Sequence, residues 1–291
     1  MIISTKDIYT RFAKYRVAEM SCPICNLDAY KLWGSCLKRE TVYQPEIPEL
    51  LTQYVKCKKC GVIYAKNAVL YYSLYVKPPK VDQRIDVGGL MPEDTERISF
   101  NLGIVQKAYG KCSDFTLLDV GCSGGEFLEL ALQSNIIADG VEINSRVAEV
   151  ARKKTNTKVY KGDMCEISIS KKYDVVNFTE IIEHIIEPNK FMNAIHRVLN
   201  PGGMIYITTM PNTDSLQVRL SGCETPMIRD TFSHHVLYNL RSMRYLLQKH
   251  GFSNIRFHHY ERSGWSVKDM FMHFINKFGH FENQVIVTAW K

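Results

Sequence analysis

The sequence predicts an α/β fold in which a small N-terminal metal-binding segment precedes a doubly wound, seven-stranded and mostly parallel sheet. Three observations predict it. Apolar strand segments alternate with helical periods from Glu93 onward, a glycine-rich turn follows the first of these strands, and two Cys-x-x-Cys pairs lie near the N-terminus. Strand–helix alternation is typical of parallel sheets covered by helices on both faces. The 291 residues suffice for one sizeable domain and a small one.

The composition is that of a globular protein with a real core, since 45% of the residues are apolar. No apolar run reaches the roughly 20 residues that a membrane-spanning helix needs. The N-terminus lacks the apolar stretch of a signal peptide. The nine cysteines, an odd number and partly in Cys-x-x-Cys pairs, are typical of a reducing compartment. We therefore expect a cytoplasmic protein without a membrane span.

The net charge of +7 is distributed unevenly along the chain. Residues 1–92 carry an excess of about six positive charges, residues 93–210 about three negative, and residues 211–291 about four positive. Two basic flanks favour an anionic substrate, such as a nucleotide-linked sugar, a phosphorylated metabolite or RNA. The alternative is that these lysines and arginines are ordinary solvated side chains.

Three regions follow one another along the chain: a zinc-ribbon-like segment at 1–66, a proline- and glycine-rich linker at 67–92, and an α/β domain at 93–291. The insertion Pro211–Phe232 is predicted to be a lid or a substrate-binding element. Apolar residues at helical spacing over Trp265–Phe278 predict an amphipathic helix packed on the sheet. The predicted strands are Thr116–Val120, Ala138–Glu142, Lys158–Tyr160, Tyr173–Thr179, Met204–Thr209, Asn254–Arg262 and Gln284–Trp290, and the predicted helices are 94–109, 125–134, 145–154, 189–199 and Ser242–His250.

The most informative run is Leu117–Leu128, which combines a buried strand, a glycine-rich turn and the first turn of a helix. Glycines let a ligand approach the backbone, and the helix N-terminus favours a negative group. Glu142 ends the second strand, where a carboxylate can accept both hydroxyls of a ribose. Asp163 and Met164 follow the third strand, where they can hold an adenine. These positions predict a nucleoside-type ligand at the carboxyl ends of the strands.

The order of these motifs resembles that of class I S-adenosylmethionine-dependent methyltransferases, and the resemblance covers residues 93–291. It is carried by Leu-Asp-Val-Gly-Cys, an acidic end of strand two, Gly-Asp, Tyr-Asp-Val-Val, Glu-His and Pro-Gly-Gly in this order. It implies a Rossmann-like fold and S-adenosylmethionine as cofactor.

The resemblance also assigns cofactor contacts residue by residue. Gly121 and Gly125 would lie against the methionine part, and Asp119 would orient its ammonium group. Glu142 would bind the ribose. Ser123 stands where the family usually has glycine, and it is small enough that we expect binding to survive. The other implied cofactor-binding residues are Cys122, Ile143, Asp163, Met164 and Phe178.

Candidate reaction-centre residues follow the fourth strand. If Glu180 opens a helix, then Glu180, Glu183 and His184 share one face. Glu-x-x-Glu-His with a later histidine resembles two metal-assisted groups, the ubiquinone-pathway catechol O-methyltransferases and the enzymes that methylate the 2′-hydroxyl at RNA 3′ ends. That resemblance implies Mg²⁺, Mn²⁺ or Zn²⁺ bound by Glu180, Glu183, His184 and His234, with His235 as an alternative to His234. In the metal-free alternative, His184 or His234 is a general base or only shapes the pocket.

Cys22, Cys25, Cys57 and Cys60 form two Cys-x-x-Cys pairs whose spacing predicts a structural, tetrahedral Zn²⁺ in a ribbon. Such N-terminal ribbons occur in sugar methyltransferases and in some rRNA methyltransferases. Basic residues around the second pair suit phosphate contacts or are merely solvated. The remaining cysteines are predicted to be small apolar fillers: Cys36, Cys112, Cys122, Cys165 and Cys223.

The sequence thus predicts a methyltransferase that O-methylates a sugar or another small, anionic metabolite in surface-polysaccharide or secondary-metabolite biosynthesis. The first alternative is an RNA methyltransferase that grips its substrate with the ribbon. The second is a binding protein that senses the cofactor without turnover. O-, C- and N-methylation and the oligomeric state remain open at this point.

Overall fold

The computed structural model describes residues 16–38, 50–70, 92–229, 234–259, 279 and 282–291. Their strands are β1 (Arg16–Glu19), β2 (Tyr30–Lys38), β3 (Leu50–Cys57), β4 (Ile63–Ala65), β5 (Asn67–Leu70), β6 (Thr116–Val120), β7 (Ile137–Glu142), β8 (Val159–Lys161), β9 (Tyr173–Thr179), β10 (Leu199–Pro211), β11 (Val236–Leu237), β12 (Ser253–His258) and β13 (Gln284–Trp290). Their helices are α1 (Pro92–Tyr109), α2 (Glu126–Gln133), α3 (Ser145–Thr155), α4 (Pro188–Val198), α5 (Leu216–Ser221), α6 (Pro226–Arg229) and α7 (Leu240–Lys249).

A seven-stranded sheet with the order β12-β13-β10-β9-β6-β7-β8 confirms the predicted fold class. Only β13 runs antiparallel to its neighbours in this sheet. The chain leaves β6, passes outward through β7 and β8, and returns to β9 on the other side of β6. Ligands of open α/β sheets bind where the strand order reverses in this way. The carboxyl ends of β6 and β9 are therefore the expected position of the ligand.

The helices pack on this sheet because each presents one apolar face. In α4 the buried side chains recur at helical spacing, from Phe191 and Met192 to Ile195 and Val198. Local signals fix where helices begin. The Asn144 side chain accepts hydrogen bonds from two backbone amides of α3, and Asn239 forms a capping box with Ser242 at α7. Each such cap stabilises its helix by about 1 kcal/mol.

The N-terminal strands form two smaller sheets. β1 pairs with β5, and β2, β3 and β4 are joined by β11 in a four-stranded sheet of order β11-β4-β3-β2. A segment of the predicted α/β domain thus completes the sheet of the predicted ribbon segment. The predicted linker at 67–92 begins with the four residues of β5 and ends at the first residue of α1. Residues 71–91 lie outside the described residues, so the linker remains a prediction.

The predicted lid is described as far as residue 229. Its buried side chains Val218 and Ile228 pack in one cluster with Tyr54 and Ile63 of the N-terminal sheet. This part of the insertion therefore covers that sheet, and its action as a lid remains a prediction. The predicted helix Trp265–Phe278 lies outside the described residues. Among the helices that are described, none is both long enough and apolar enough to cross a bilayer.

Candidate active site

The glycine-rich turn after β6 is shaped by close contacts that only glycine permits. Gly121 has a φ of 77°, and a Cβ at this position would lie 2.4 Å from Cδ1 of Ile181. Gly125 has a φ of 88° immediately before α2. Left-handed backbone of this kind favours glycine. Because Ile181 follows β9, its contact with Gly121 also joins the turn to the predicted reaction centre.

Glu142 ties the end of β7 to the glycine-rich turn. Its Oε2 accepts the Ser123 N–H at 3.1 Å, and its Oε1 accepts the Asn144 N–H at 2.8 Å. Burial raises the pKa of this carboxyl group, and the backbone N–H donors oppose that shift. Each carboxylate oxygen retains a second lone pair that can accept a hydroxyl. This geometry suits the predicted contact with a ribose.

Asp119 lies at the carboxyl end of β6 with a buried side chain. Burial raises the pKa of its carboxyl group to about 7, although the Asn177 amide donates to its Oδ1 at 2.6 Å and lowers that pKa. Asn177 lies opposite Asp119 on β9, and its own Oδ1 is buried without a hydrogen-bond partner. Sequence reasoning missed Asn177. The sequence did contain a hint, because Asn177 is an amide in a mostly apolar strand. Buried amides normally have hydrogen-bond partners, so its presence there indicates a polar partner nearby.

The other predicted cofactor residues differ in their surroundings. Asp163 accepts the backbone N–H of Cys165 at 2.8 Å, and Met164 is buried beside it. Ile143 is half-buried. Phe178 is fully buried and meets Phe191 edge to face, with ring centroids 5.3 Å apart.

Cys122 is also buried, and its Sγ would lie 2.7 Å from a Cβ added at Gly140. Cys122 and Phe178 are therefore core residues, each in a different hydrophobic cluster. The filler prediction for the other cysteines is wrong for Cys112, which is exposed.

Ser123 adopts left-handed backbone with a φ of 48° and is exposed. That conformation costs a non-glycine residue about 1–2 kcal/mol. Glycine avoids this cost, but its unfolded chain has more conformational entropy, which offsets part of the gain in stability. Ser123→Gly is expected to raise the free energy of unfolding by about 0.5–1 kcal/mol in a urea titration. The control is Ser221→Gly, an exposed serine with a φ of −107°. It should lower stability or leave it unchanged, and equal gains for both variants would contradict the strain.

The backbone after β9 differs from the prediction. Glu180 does not open a helix, because it has a φ of 54° and only Ile182–His184 form a single 3₁₀ turn. The predicted shared helical face of Glu180, Glu183 and His184 is therefore wrong. Glu180 is directed to the surface, where its Oε1 lies 3.4 Å from the Arg97 guanidinium.

Glu183, His184 and His234 nevertheless converge, with one ligand atom of each lying within 4.8 Å of the others. His234 Nε2 lies 3.9 Å from Glu183 Oε1, and the two imidazole rings are 4.8 Å apart between centroids. Neither Glu180 nor His235 belongs to this group of described residues. His235 instead uses its backbone N–H to donate to the Glu183 carbonyl at 3.0 Å.

Glu183 is 1% exposed, and burial raises the pKa of its carboxyl group to about 8, with the nearby Glu180 adding to the shift. Its Oε2 is buried without a hydrogen-bond partner. An unpaired buried carboxyl oxygen costs stability, and such groups mark sites of catalysis or of an absent ion. The group is therefore arranged to receive a proton donor or a cation.

The orientation of His234 is fixed from two sides. Its Nδ1 lies 2.8 Å from the Met227 carbonyl, which only a protonated Nδ1 can satisfy. Nε2 then carries the lone pair on the side of Glu183. On the other side, the backbone carbonyl of His234 accepts a hydrogen bond from the Tyr54 hydroxyl at 2.9 Å. This tautomer can act as a base or as a metal ligand.

A metal ion fits this group after a modest contraction. Metal–ligand bonds of about 2.1 Å place neighbouring ligand atoms about 3.0–3.5 Å apart. In the structure the ligand atoms of the three side chains lie within 4.8 Å of one another, so they would have to move slightly closer together. One carboxylate and two imidazoles are a donor set that Zn²⁺ or Mn²⁺ accepts. The unpaired Oε2 of Glu183 supplies the observation in favour of an ion.

The four predicted zinc ligands come together in the N-terminal module, which consists of β1–β5 and the cysteine turns next to them. Sγ distances are 3.4 Å for Cys22–Cys25, 3.5 Å for Cys22–Cys60 and 3.5 Å for Cys25–Cys57. A tetrahedral ion with 2.3 Å bonds to sulfur spaces its ligands by about 3.8 Å. Burial raises the pKa of Cys25 to about 11. Burial also opposes ionisation of Cys57, but hydrogen bonds from the backbone of Cys60 and Lys59 and from the neighbouring thiols together lower its pKa to about 7. The cluster thus fits a zinc ion.

Fold and site together define a class I S-adenosylmethionine-dependent methyltransferase, as the sequence predicts. A family model described as "Methyltransferase domain" matches residues 84–256, and the chain belongs to this family. Similar solved structures include an S-adenosylmethionine-dependent methyltransferase from Archaeoglobus fulgidus, with a TM-score of 0.53 at 20% identity, covering 76% of this chain and 100% of that one. Another is Haemonchus contortus phosphoethanolamine N-methyltransferase 2, with a TM-score of 0.54 at 18% identity, covering 89% of this chain and 68% of that one. Both likenesses concern the fold.

Curated relatives carry the name ubiquinone biosynthesis O-methyltransferase. That of Rickettsia bellii is 32% identical over 122 residues, which are 40% of this chain and 51% of the relative. That of Leptothrix cholodnii is 26% identical over 132 residues, which are 42% of this chain and 56% of the relative. The chain spans about half the length of these relatives.

Proposed function

We propose that the protein transfers the methyl group of S-adenosylmethionine to a hydroxyl group of a small molecule. The observation that carries this proposal is the convergence of Glu183, His184 and His234 beside the glycine-rich turn. The packing of Ile181 on Gly121 holds this group next to the crevice in which the cofactor is expected. The relatives named as O-methyltransferases support the choice of a hydroxyl acceptor.

Methyl transfer from a sulfonium is a direct displacement, so the protein has to align the acceptor and activate its oxygen. We assign alignment of the cofactor to the glycine-rich turn, Asp119 and Glu142. His234, whose Nε2 carries a lone pair, would accept the hydroxyl proton. Glu183, whose Oε1 lies 3.9 Å from that nitrogen, would stabilise the resulting imidazolium when its carboxyl group is ionised, which burial delays to a pKa of about 8.

The same three residues would hold a divalent ion if one is bound. Glu183 would supply a carboxylate oxygen, and His184 and His234 one nitrogen each. An ion at this position would lower the pKa of a coordinated acceptor hydroxyl. The general-base role and the metal role both depend on Glu183 and are separated by counting metals.

We further propose that the four cysteines hold a structural zinc ion. Their closed arrangement leaves no open coordination position, which is typical of structural rather than catalytic zinc. For the acceptor we propose a sugar or another small anionic metabolite, supported by the basic flanks of the chain.

The test is a transfer assay with labelled S-adenosylmethionine and matched acceptors, run beside calorimetric measurement of cofactor binding. The acceptors are nucleotide sugars, catechols, the same compounds without the reactive hydroxyl, and total RNA. We expect label in hydroxylated small molecules and none in the deoxygenated controls. Label appearing only in RNA, or cofactor binding without transfer to any acceptor, would overturn the proposal.

A further inference from the structure

We propose that Tyr54, on the zinc-bound module, is a positioning residue that sets the place of His234 in the reaction centre. The zinc-bound module would then act in catalysis by building one wall of the reaction centre. This inference rests on the proposed function, and the experiment below distinguishes a failure of the inference from a failure of the proposed function.

The first contact is a hydrogen bond across the two parts of the chain. The Tyr54 hydroxyl donates to the backbone carbonyl of His234 at 2.9 Å. Tyr54 is fully buried in β3, and its ring meets Trp33 edge to face with centroids 6.2 Å apart. A buried and packed phenol has one orientation, so it can hold the carbonyl of the histidine at a defined point.

The second contact is the strand that follows the histidine. β11 begins two residues after His234 and pairs with β4, with Val236 opposite Tyr64 and Leu237 opposite Ile63. The Ala65 N–H donates to the His235 carbonyl at 2.9 Å and extends this pairing by one residue toward the reaction centre. A ladder fixes the register of its strand. The segment that carries His234 is thus placed by β4 and by Tyr54 of β3.

The third contact leads from this ladder to the cysteines. Cys57 is the last residue of β3, and Cys60 stands three residues before β4, so an ion bound by both closes the turn between these strands. The same turn is held to α7, since the Asn239 side chain donates to the Gly61 carbonyl at 3.3 Å. A fixed turn keeps β3 and β4 in one orientation, and these two strands position His234.

The chemical requirement for such support is strict. The imidazole nitrogen of His234 has to lie within hydrogen-bond reach of the acceptor hydroxyl and close to Glu183. A displacement of about 1 Å at a reacting group can lower the rate about 100-fold. Removing one support while the ladder remains should therefore reduce turnover without removing the site.

The experiment compares Tyr54→Phe with Tyr64→Phe in the full chain. Tyr64 is a matched control because it lies on the neighbouring strand, is fully buried, and has a hydroxyl without a hydrogen-bond partner. We expect Tyr54→Phe to lower kcat about 10- to 100-fold with unchanged acceptor KM, cofactor Kd and zinc content. Its Tm should fall by about 2–4 °C, so rates are compared at 25 °C. Tyr64→Phe should keep the wild-type kcat.

A second readout needs no turnover. In nitrogen-15 NMR spectra, the imidazole signals of His234 should shift in Tyr54→Phe and stay in place in Tyr64→Phe. Unshifted signals together with a wild-type kcat in Tyr54→Phe would overturn the inference, and so would equal losses in both variants. Shifted signals in a protein whose wild type transfers no methyl group would support the positioning role and overturn the proposed function alone.

Discussion

Cys57→Ser is expected to remove the zinc ion from the N-terminal module and to lower the Tm of the protein by 10 °C or more. Structural zinc contributes on the order of 10 kcal/mol to the folding of small modules, and about 2–4 °C of Tm are lost for each kcal/mol in a chain of this size. This cysteine matters because it ends β3, one of the two inner strands of the four-stranded sheet. Elemental analysis and a thermal melt measure both effects.

The loss should spread beyond the module, because the first cysteine pair is held to the α/β domain through its backbone carbonyls. The Asn189 amide donates to the carbonyls of Pro23 and Ile24 at 2.7 and 3.0 Å, and the Lys249 ammonium also donates to Ile24 at 2.5 Å. These donors lie on α4 and at the end of α7. If the first cysteine pair is released, both side chains lose these carbonyl acceptors, so we expect a single transition at lower temperature.

The control for this prediction is Cys112→Ser, which makes the same chemical change at an exposed cysteine outside the cluster. It should keep one zinc ion per chain and shift the Tm by no more than about 1–2 °C. Cofactor affinity should change little in Cys57→Ser at temperatures where the α/β domain is folded, since the glycine-rich turn belongs to β6 and α2. Full zinc content or an unchanged Tm in Cys57→Ser would contradict the assigned zinc site.

The parts of the fold that were predictable are those with a repeating local signal. The bounds of β6, β9 and β13 agree residue for residue with the prediction, because each is a short and mostly apolar segment. The glycine-rich turn was equally readable, since left-handed backbone at Gly121 and Gly125 demands glycine. We expect these features to position the cofactor, so the predicted donor side of the site is built on strands and a turn that the structure contains.

Of the residues predicted for the reaction centre, Glu183, His184 and His234 converge in the structure, whereas the predicted backbone geometry was wrong. Helical spacing suggested that Glu180 lies beside Glu183, but the chain turns sharply so that Ile181 can pack on Gly121. That contact is between residues 60 positions apart, and no local pattern reports it. The left-handed Glu180 is the consequence, and strained backbone of this kind is common at functional sites.

The role of β11 was not predictable for a related reason. A strand of two residues is too short to show the alternation of apolar and polar side chains. Its partner strand, β4, lies more than 170 positions earlier in the chain. The choice between His234 and His235 depended on this pairing, because it alternates which side chain faces Glu183. Asn177 was missed because an amide within an apolar run gives no indication of the group it faces.

Glu183→Gln is expected to lower kcat about 100- to 10,000-fold while the Kd for S-adenosylmethionine changes by less than about threefold. The substitution keeps the shape of the side chain and removes its capacity to become a carboxylate. Folding should tolerate it, because burial already favours the neutral form of this group, with a pKa of about 8. Single-turnover assays with an accepted hydroxyl substrate and a thermal melt provide the measurements.

The matched control is Glu187→Gln, four residues further along, where the same change falls on an exposed side chain that makes no cap contact with α4. It should retain wild-type kcat. If Glu183→Gln keeps more than a tenth of the wild-type kcat, the reaction centre is wrongly assigned. If both variants lose activity equally, the loss reflects general charge in this region and not the buried carboxyl group.

The number of metal ions per chain then distinguishes the two roles proposed for Glu183, as a metal ligand or as a partner of a general base. A divalent ion at the reaction centre would make wild-type protein carry two ions per chain, and Glu183→Gln would lose one and keep the zinc ion of the cysteines. A general base supported by Glu183 would leave one ion per chain in both proteins. His234→Ala should follow Glu183→Gln in either case, since its Nε2 and the carboxylate face each other at 3.9 Å. The pair is thus expected to act as one unit, with losses that do not add in the double variant.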